Sequence, residues 1–284
     1  MKIMPYIKSL YVLGDVGFYS STLRTLVCNF KHKIMFENNH IALLGDNFYP
    51  DGIKTFNDKQ WKSFEYVFGD IPYQNICAIM GNHDYYGDPN IQLRSNNFNN
   101  HEFFFKRSME NVDLFFLDTA LLYKGHCKVF EHTIYKVHKK SYMTLKEEQL
   151  DWFENELEKS KENGKKIIVF GHYPILTNGF YANEMEPLYN LLIPIFEKYK
   201  ISAYVSGHEH NIQYIYKEIS EDYTFHQFIN GCSSECRKRE FCLKNENYMF
   251  ENDDFYYLQI REDNNDIFFE FKNKYGIIKH CICL

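Results

Sequence analysis

Five short clusters, each opened by glycine, constrain this chain most: Gly14-Asp15-Val16-Gly17, Gly45-Asp46-Asn47-Phe48-Tyr49, Gly81-Asn82-His83-Asp84, Gly171-His172-Tyr173-Pro174 and Gly207-His208-Glu209-His210-Asn211. Each follows a short apolar run that reads as a strand: Leu10–Leu13, His40–Leu44, Ile76–Met80, Lys166–Phe170 and Ile201–Val205. Amphipathic stretches at Tyr19–His32 and Asp58–Phe68 separate the first three, a βαβαβ rhythm that implies parallel strands with crossover helices. In open α/β sheets the ligand crevice lies beyond the carboxyl ends of the strands. The clusters therefore deliver Asp, Asp, Tyr, Asn, His and a His-x-His pair to one rim, and the glycines permit the sharp turns and close backbone approach this needs.

The rest of the pattern fills in the fold class. Glu102–Lys106 and Leu114–Leu117 read as strands, and Pro187–Lys198 reads as a helix. Thr144–Lys161 is the clearest helix, with Thr144 as its cap and Glu147 completing a capping box. After Asn211 strand follows strand: Ile212–Tyr216, Thr224–Ile229, Phe255–Ile260 and Ile267–Phe271. The expected architecture is a layered α/β/α sandwich with two mixed β-sheets flanked by helices. No repeat, linker or Pro/Gly-rich hinge divides the 284 residues, so one domain over 1–284 is expected.

Composition excludes several function classes. Apolar residues at 45 % and charged residues at 25 % describe a folded globular chain. The net charge of −6 argues against a basic face for nucleic acid. No run of 18 apolar residues is present, which argues against a membrane span. Eight scattered cysteines do not form a disulfide framework. Cys232, Cys236 and Cys242 stand close enough for a zinc knuckle, but without a CxxC pair the expected reading is free, partly buried thiols. Pro5 and Lys8 interrupt the apolar N-terminal residues, and no Asn-x-Ser/Thr sequon occurs. The expectation is a cytoplasmic, unglycosylated protein, or a secreted or lysosome-like one if a leader was removed.

The residue types at the rim suit metal ions. Oxygen donors with imidazoles favour iron, zinc or manganese over calcium. Seven ligands would overfill one site, but two metals sharing a bridging carboxylate accommodate them. Two-metal sites, with ions about 3.5–4 Å apart, perform in-line displacement at phosphorus.

With these motifs the sequence resembles the calcineurin-like metallophosphoesterases, and within them the small, mammalian-type purple acid phosphatases. The likeness rests on the five clusters. It extends to Gly45-Asp46-Asn47-Phe48-Tyr49-Pro50-Asp51-Gly52, Asn57-Asp58-Lys59, Leu117-Asp118-Thr119 and His210-Asn211, and covers roughly residues 9 to 231. The resemblance implies that Asp15, His210 and Tyr49 bind a first metal, Tyr49 as a phenolate. It implies that Asp46 bridges and that Asn82, His172 and His208 bind a second metal. Phenolate favours ferric iron and gives visible colour, so the implied pair is Fe(III) with Fe(II) or Zn(II), with Mn(II) an alternative at the second position. The other reading of Tyr49 is a loop aromatic covering the site.

His83, outside the seven, is the implied catalytic residue: it binds phosphate oxygen beside Asn82 and protonates the leaving alkoxide. Asp84 either orients His83 or caps the turn. The chain departs from its relatives at Tyr181, which stands where they place a second active-site histidine, and at Glu209, where aspartate is usual. Tyr181 or Asn183 is then a substitute hydrogen-bond donor to the substrate. His126, His132 and His138 read as solvated surface residues. The implied protein is a monomeric or weakly associated phosphatase. It hydrolyses phosphate monoesters, with pyrophosphate bonds a second class, at acidic pH by in-line attack of a metal-bound hydroxide. A phosphodiesterase or nucleotide pyrophosphatase of the same superfamily is the first alternative, and a non-catalytic scaffold of the same fold the second.

Overall fold

Strand β1 (Ser9–Leu13) lies at the heart of the first sheet, with parallel neighbours β2 (His40–Leu43) and β3 (Ile76–Ala78). Register pairs Leu10 with His40 and Ile41 with Ile76, the arrangement expected of βαβαβ crossovers. The computed structural model describes residues 6–237, 248–252 and 254–284. The first crossover holds two helices, α1 (Ser21–Cys28) and α2 (Lys31–Phe36), where one over Tyr19–His32 was expected. The break falls at Asn29, whose amide donates to the Lys274 carbonyl at 2.9 Å, and at Phe30, which is buried flat against Tyr11. Helix α3 (Gln60–Phe68) makes the second crossover, with Trp61, Phe64, Val67 and Phe68 buried. A short helix, α4 (Pro89–Arg94), follows β3.

The second sheet begins with β4 (Phe105–Ser108) antiparallel to β5 (Val112–Phe116). Helices α5 (Lys124–His138) and α6 (Tyr142–Glu162) precede β6 (Lys166–Phe170), and α7 (Glu186–Tyr199) precedes β7 (Ala203–Ser206). Helix α6 begins earlier than expected. Ser141 is its cap, accepting from the Thr144 backbone N–H at 3.1 Å, so Thr144 lies inside the helix. Helix α5 was not foreseen, and its last residue corrects an expectation. His138 is half-buried against Phe103 and pushed down to about 4 by burial, so it is not a solvated imidazole. His132 on the same helix is exposed.

Strands β8 (Ile212–Ser220), β9 (Tyr223–Asn230) and β10 (Tyr248–Asn252) complete the second sheet in the order β10-β8-β9-β7-β6-β5-β4. Strands β11 (Tyr256–Asp263), β12 (Asp266–Asn273) and β13 (Ile278–Cys283) return antiparallel to extend the first as β13-β12-β11-β1-β2-β3. β13 was not foreseen. As an edge strand it lacks the clean apolar alternation of a half-buried one.

Three cores separate the four layers. Between the sheets, Leu10, Val12, Ala42, Ile168, Phe170, Val205, Phe228 and Phe269 interlock. Helices α1 to α3 bury Leu26, Phe48 and Phe64 on the outer face of the first sheet. Helices α5 to α7 bury Phe153, Leu157, Leu192 and Phe196 on that of the second. This is the expected class, two mixed sheets flanked by helices. Parallel strands buried on both faces explain runs such as Ile167–Phe170, which carry no alternation. Among the described residues no helix is long and apolar enough to cross a membrane. Of the candidate zinc cysteines, Cys242 lies outside the described residues. Cys232 and Cys236 are free thiols, with Cys236 donating to the Cys232 carbonyl at 3.7 Å.

Candidate metal centre

Both sheets end their parallel strands at one seam, and the expected clusters meet there. β1, β2 and β3 deliver Asp15, Asp46, Tyr49 and Asn82. β6 and β7 deliver His172, His208 and His210. Four of these have left-handed backbone: Asp15 at φ 57°, Asp46 at 53°, His208 at 70° and His210 at 53°. L-residues adopt that conformation at a cost of about 1–3 kcal/mol, and it concentrates at functional sites. Here it reverses the chain abruptly, so that a buried side chain turns into the seam. Gly81 has no tolerable alternative, because a Cβ there would collide with the Asp46 carboxylate.

Two groups of side chains have the reach to hold a cation: Asp15, Asp46 and His210, and Asp46, His172 and His208, sharing Asp46. The proton count within them decides whether a cation fits. His172 donates Nδ1–H to the Leu44 carbonyl at 2.8 Å, which leaves Nε2 as a lone pair. That lone pair faces Asn82 Oδ1 at 3.0 Å, His208 Nδ1 at 3.1 Å and Asp46 Oδ1 at 3.6 Å. The Tyr49 hydroxyl has one proton and lies among two carboxylate oxygens, Asp15 Oδ1 and Asp46 Oδ2, each at 3.1 Å, and His210 Nε2 at 3.0 Å. Lone pairs outnumber protons in both groups, and a metal ion is what such a donor set accommodates.

Electrostatics agree. Burial alone would raise Asp15, but its hydrogen bond and charge interaction with His210 hold it below the usual carboxylate range. His210 is desolvated, yet Asp15 raises it above an ordinary imidazole. Burial first, then Asp15 and Asp46, push the Tyr49 phenol well above its ordinary value. A phenolate at this place therefore needs a cation beside it. The ring lies with its hydroxyl in the carboxylate cluster, which is not the geometry of a loop aromatic lying over the site.

His83 stands at the edge of the same turn as Asn82. Its Nδ1 lies 2.5 Å from the Pro50 carbonyl and so carries the proton there, while Nε2 points to the seam, 4.0 Å from Asp46 Oδ2. The Asp84 alternatives are decided: it is fully buried and accepts from Gly81 N, Asn47 N and Gln92 Nε2, so it caps the turn and does not touch His83. Burial and Asp46 raise its carboxyl to about 6. The segment 85–100 folds inward through α4 to place Gln92 on Asp84. Tyr181 stands at the rim with its ring stacked on His208, centroids 4.1 Å apart.

Sequence reasoning assigned no role to the residues that flank and hold the histidine turns. Thr119 Oγ1 accepts from the backbone of His172 and Tyr173. Glu235 Oε2 lies 3.1 Å from His210 Nδ1, and the Arg237 backbone donates to the His210 carbonyl at 2.9 Å. A signal was present. β9 runs parallel to β7, so Asn230-Gly231 is a sixth glycine-marked strand end at the same rim. The rule that selected the other five selects it too.

A layered fold with this seam is that of a metallophosphoesterase. The calcineurin-like phosphoesterase family matches residues 8–211, and the chain belongs to that family. Among curated proteins it is similar to tartrate-resistant acid phosphatase type 5 of Oryctolagus cuniculus, 31% identical over 191 residues that are 63% of this chain and 57% of the relative. It is similar also to purple acid phosphatase 7 of Arabidopsis thaliana, 29% identical over 73% of this chain and 65% of that protein. The chain thus spans somewhat over half the length of the curated relatives it matches. Among solved structures it superimposes on GAP50, described as the anchor in the inner membrane complex of Plasmodium. The TM-score is 0.76 at 22% identity, over 98% of this chain and 88% of that one. It superimposes also on the yellow lupin purple acid phosphatase PPD1, with a TM-score of 0.64 at 14% identity over 99% of this chain and 54% of that one. The homologues imply a binuclear metal centre, and the seam holds the candidate ligands.

Proposed function

We propose that this chain is a dinuclear acid phosphatase of the purple type that hydrolyses phosphate monoesters at mildly acidic pH. The observation that carries the reading is the Tyr49 hydroxyl, set among Asp15, Asp46 and His210 with more lone pairs around it than protons. Asp15, Tyr49 and His210 hold one metal, Asn82, His172 and His208 hold the other, and Asp46 is shared. Phenolate beside carboxylates suits Fe(III), with Fe(II), Zn(II) or Mn(II) on the histidine side. When bound, the pair supplies Lewis-acid activation of water and neutralises charge at phosphorus. The chain's own residues do the rest. The Leu44 carbonyl fixes the His172 tautomer, Pro50 fixes the direction of His83, and Asn82 positions a phosphate oxygen beside it. His83 Nε2 gives a proton to the leaving oxygen.

The superposition on GAP50 favours a second reading, a non-catalytic scaffold that keeps the fold. The retained donor set argues for catalysis. Elemental analysis of protein purified without chelators tests the first reading, together with hydrolysis of matched monoester and diester substrates. Expected are about two metals per chain, at least one of them iron, and preference for the monoester. Absence of transition metal with no uptake afterwards selects the scaffold. Preference for the diester selects a phosphodiesterase.

A further inference from the structure

The two departures from the relatives' pattern, Tyr181 and Glu209, belong to one device. Glu209 is buried between two histidines of the seam. Its carboxylate accepts from Thr177 Oγ1 at 2.7 Å, Phe180 N at 3.0 Å and Tyr181 N at 3.1 Å. Gly179 lets the loop wrap this close, since a Cβ there would collide with the Glu209 carboxylate. The clamp lays Tyr181 on His208 with ring planes 29° apart. From the other side comes Arg237, its backbone anchored to the His210 carbonyl. Its guanidinium carbon lies 5.5 Å from the Tyr181 ring centroid and 5.8 Å from that of Phe180. The Tyr181 phenol, Asp15 and Glu209 lie within electrostatic reach of the guanidinium. Among the described residues no carboxylate closes an ion pair with it, and Arg237 is exposed.

We propose that Arg237, braced on Tyr181, is the phosphate-oxygen-binding cation on the histidine side of the seam. A guanidinium presents paired N–H groups that match two phosphate oxygens, and stacking against aromatic faces fixes their direction. His83 lies across the site on the carboxylate side. A phosphate between them is gripped by Arg237 on its non-bridging oxygens while the ester oxygen faces His83. Arg237 is a specificity-determining residue, and Tyr181 and Glu209 are positioning residues that act through it. The inference rests on the phosphatase reading for its ligand but not for its test.

The probe is inorganic phosphate, titrated calorimetrically into the full chain with its metals quantified. Arg237→Ala should weaken phosphate about 10–100-fold, the scale of lost hydrogen bonds to a charged group, with metal content unchanged. KM for a monoester should rise in parallel while kcat changes little. Arg237→Lys should recover part of the loss, since charge survives without the fork. Tyr181→Phe, which keeps the ring on His208, should lose less than Arg237→Ala. Equal phosphate affinity in wild type and Arg237→Ala at equal metal content overturns the proposal, as does a wild type that binds no phosphate. Loss of metal in Arg237→Ala overturns it too, by making Arg237 a support for His210. A wild type that binds phosphate through Arg237 yet hydrolyses nothing defeats the phosphatase reading and leaves this site standing.

Discussion

The seam has two unlike halves. The first sheet supplies only oxygen donors, Asp15, Asp46, Tyr49 and Asn82, and the second only imidazoles, His172, His208 and His210. The oxygen half is held by backbone N–H groups of short turns: His83 N on Asp46 Oδ1 at 2.9 Å, and His208 N on Asp15 Oδ2 at 2.8 Å. The imidazole half leans on groups from elsewhere in the chain: Thr119 Oγ1 on His172 N, the Leu44 carbonyl on His172 Nδ1, and Glu235 beside His210 Nδ1. The difference teaches where charge and adjustability reside. Carboxylates are buried at cost unless a cation or the opposite half compensates them. The histidine half carries less charge and can tolerate a different rim, and this chain's departures, Tyr181 and Glu209, both lie there.

The largest effect should come from the one side chain that joins the halves. Asp46 belongs to both candidate metal groups, and its left-handed backbone suits asparagine as well as aspartate. Asp46→Asn therefore changes the ligand without straining the turn. Metal content should fall from about two per chain to below one, and hydrolysis to background. Full metal content in this variant would separate the halves and break the shared-ligand account.

Next in size is His83→Ala on the oxygen half. A positioned acid contributes ~10²–10⁴-fold, and the loss on alkyl phosphates should fall in that range with both metals retained. Aryl phosphates leave as stabilised phenolates, so their loss should be smaller. Equal losses on both esters would leave His83 with phosphate binding alone. Tyr49→Phe should cost less turnover again, because six ligands remain, yet it should abolish visible absorption with the fold intact. A coloured Tyr49→Phe protein would mean that the chromophore lies elsewhere.

The same contrast governs what could be read from the sequence. All seven candidate ligands were legible because a turn glycine announces each strand end, and the strands they follow are continuous apolar runs. The supports of the oxygen half are largely backbone groups of those same turns, so finding the ligand found the support. On the histidine side the supporting pairs reach outside the five clusters: Thr119 with His172, and Thr177 with Glu209. No local pattern encodes such pairs. α5 was missed because Lys124–His138 is polar on most of its surface, with only Phe130 and Ile134 as described core residues. β13 was missed because an edge strand buries too little to show a period of two.

The smallest effect should follow from loosening the histidine half without touching a ligand. Glu209→Gln keeps shape but replaces one acceptor oxygen by a donor amide. The carboxylate now accepts three hydrogen bonds, two of them from backbone N–H groups of Phe180 and Tyr181. An amide can serve its remaining oxygen to one side and must set its own N–H against a backbone N–H on the other. A buried donor left without an acceptor costs roughly 1–3 kcal/mol. That cost falls on the loop 177–181, because the adjacent metal-facing histidines are fixed separately by Asp15 and by their own turn. Local opening of the loop should become about tenfold more frequent, read as faster amide hydrogen exchange at Phe180 and Tyr181. Metal content and colour should not change. KM for a monoester should rise a few-fold, with kcat close to wild type, if Tyr181 serves substrate placement and not chemistry. Unchanged exchange at those two amides would show that the clamp does not hold the loop. A fall in kcat as large as that of His83→Ala would mean that the histidine half takes part in the proton transfer, and the division of labour between the halves would have to be redrawn.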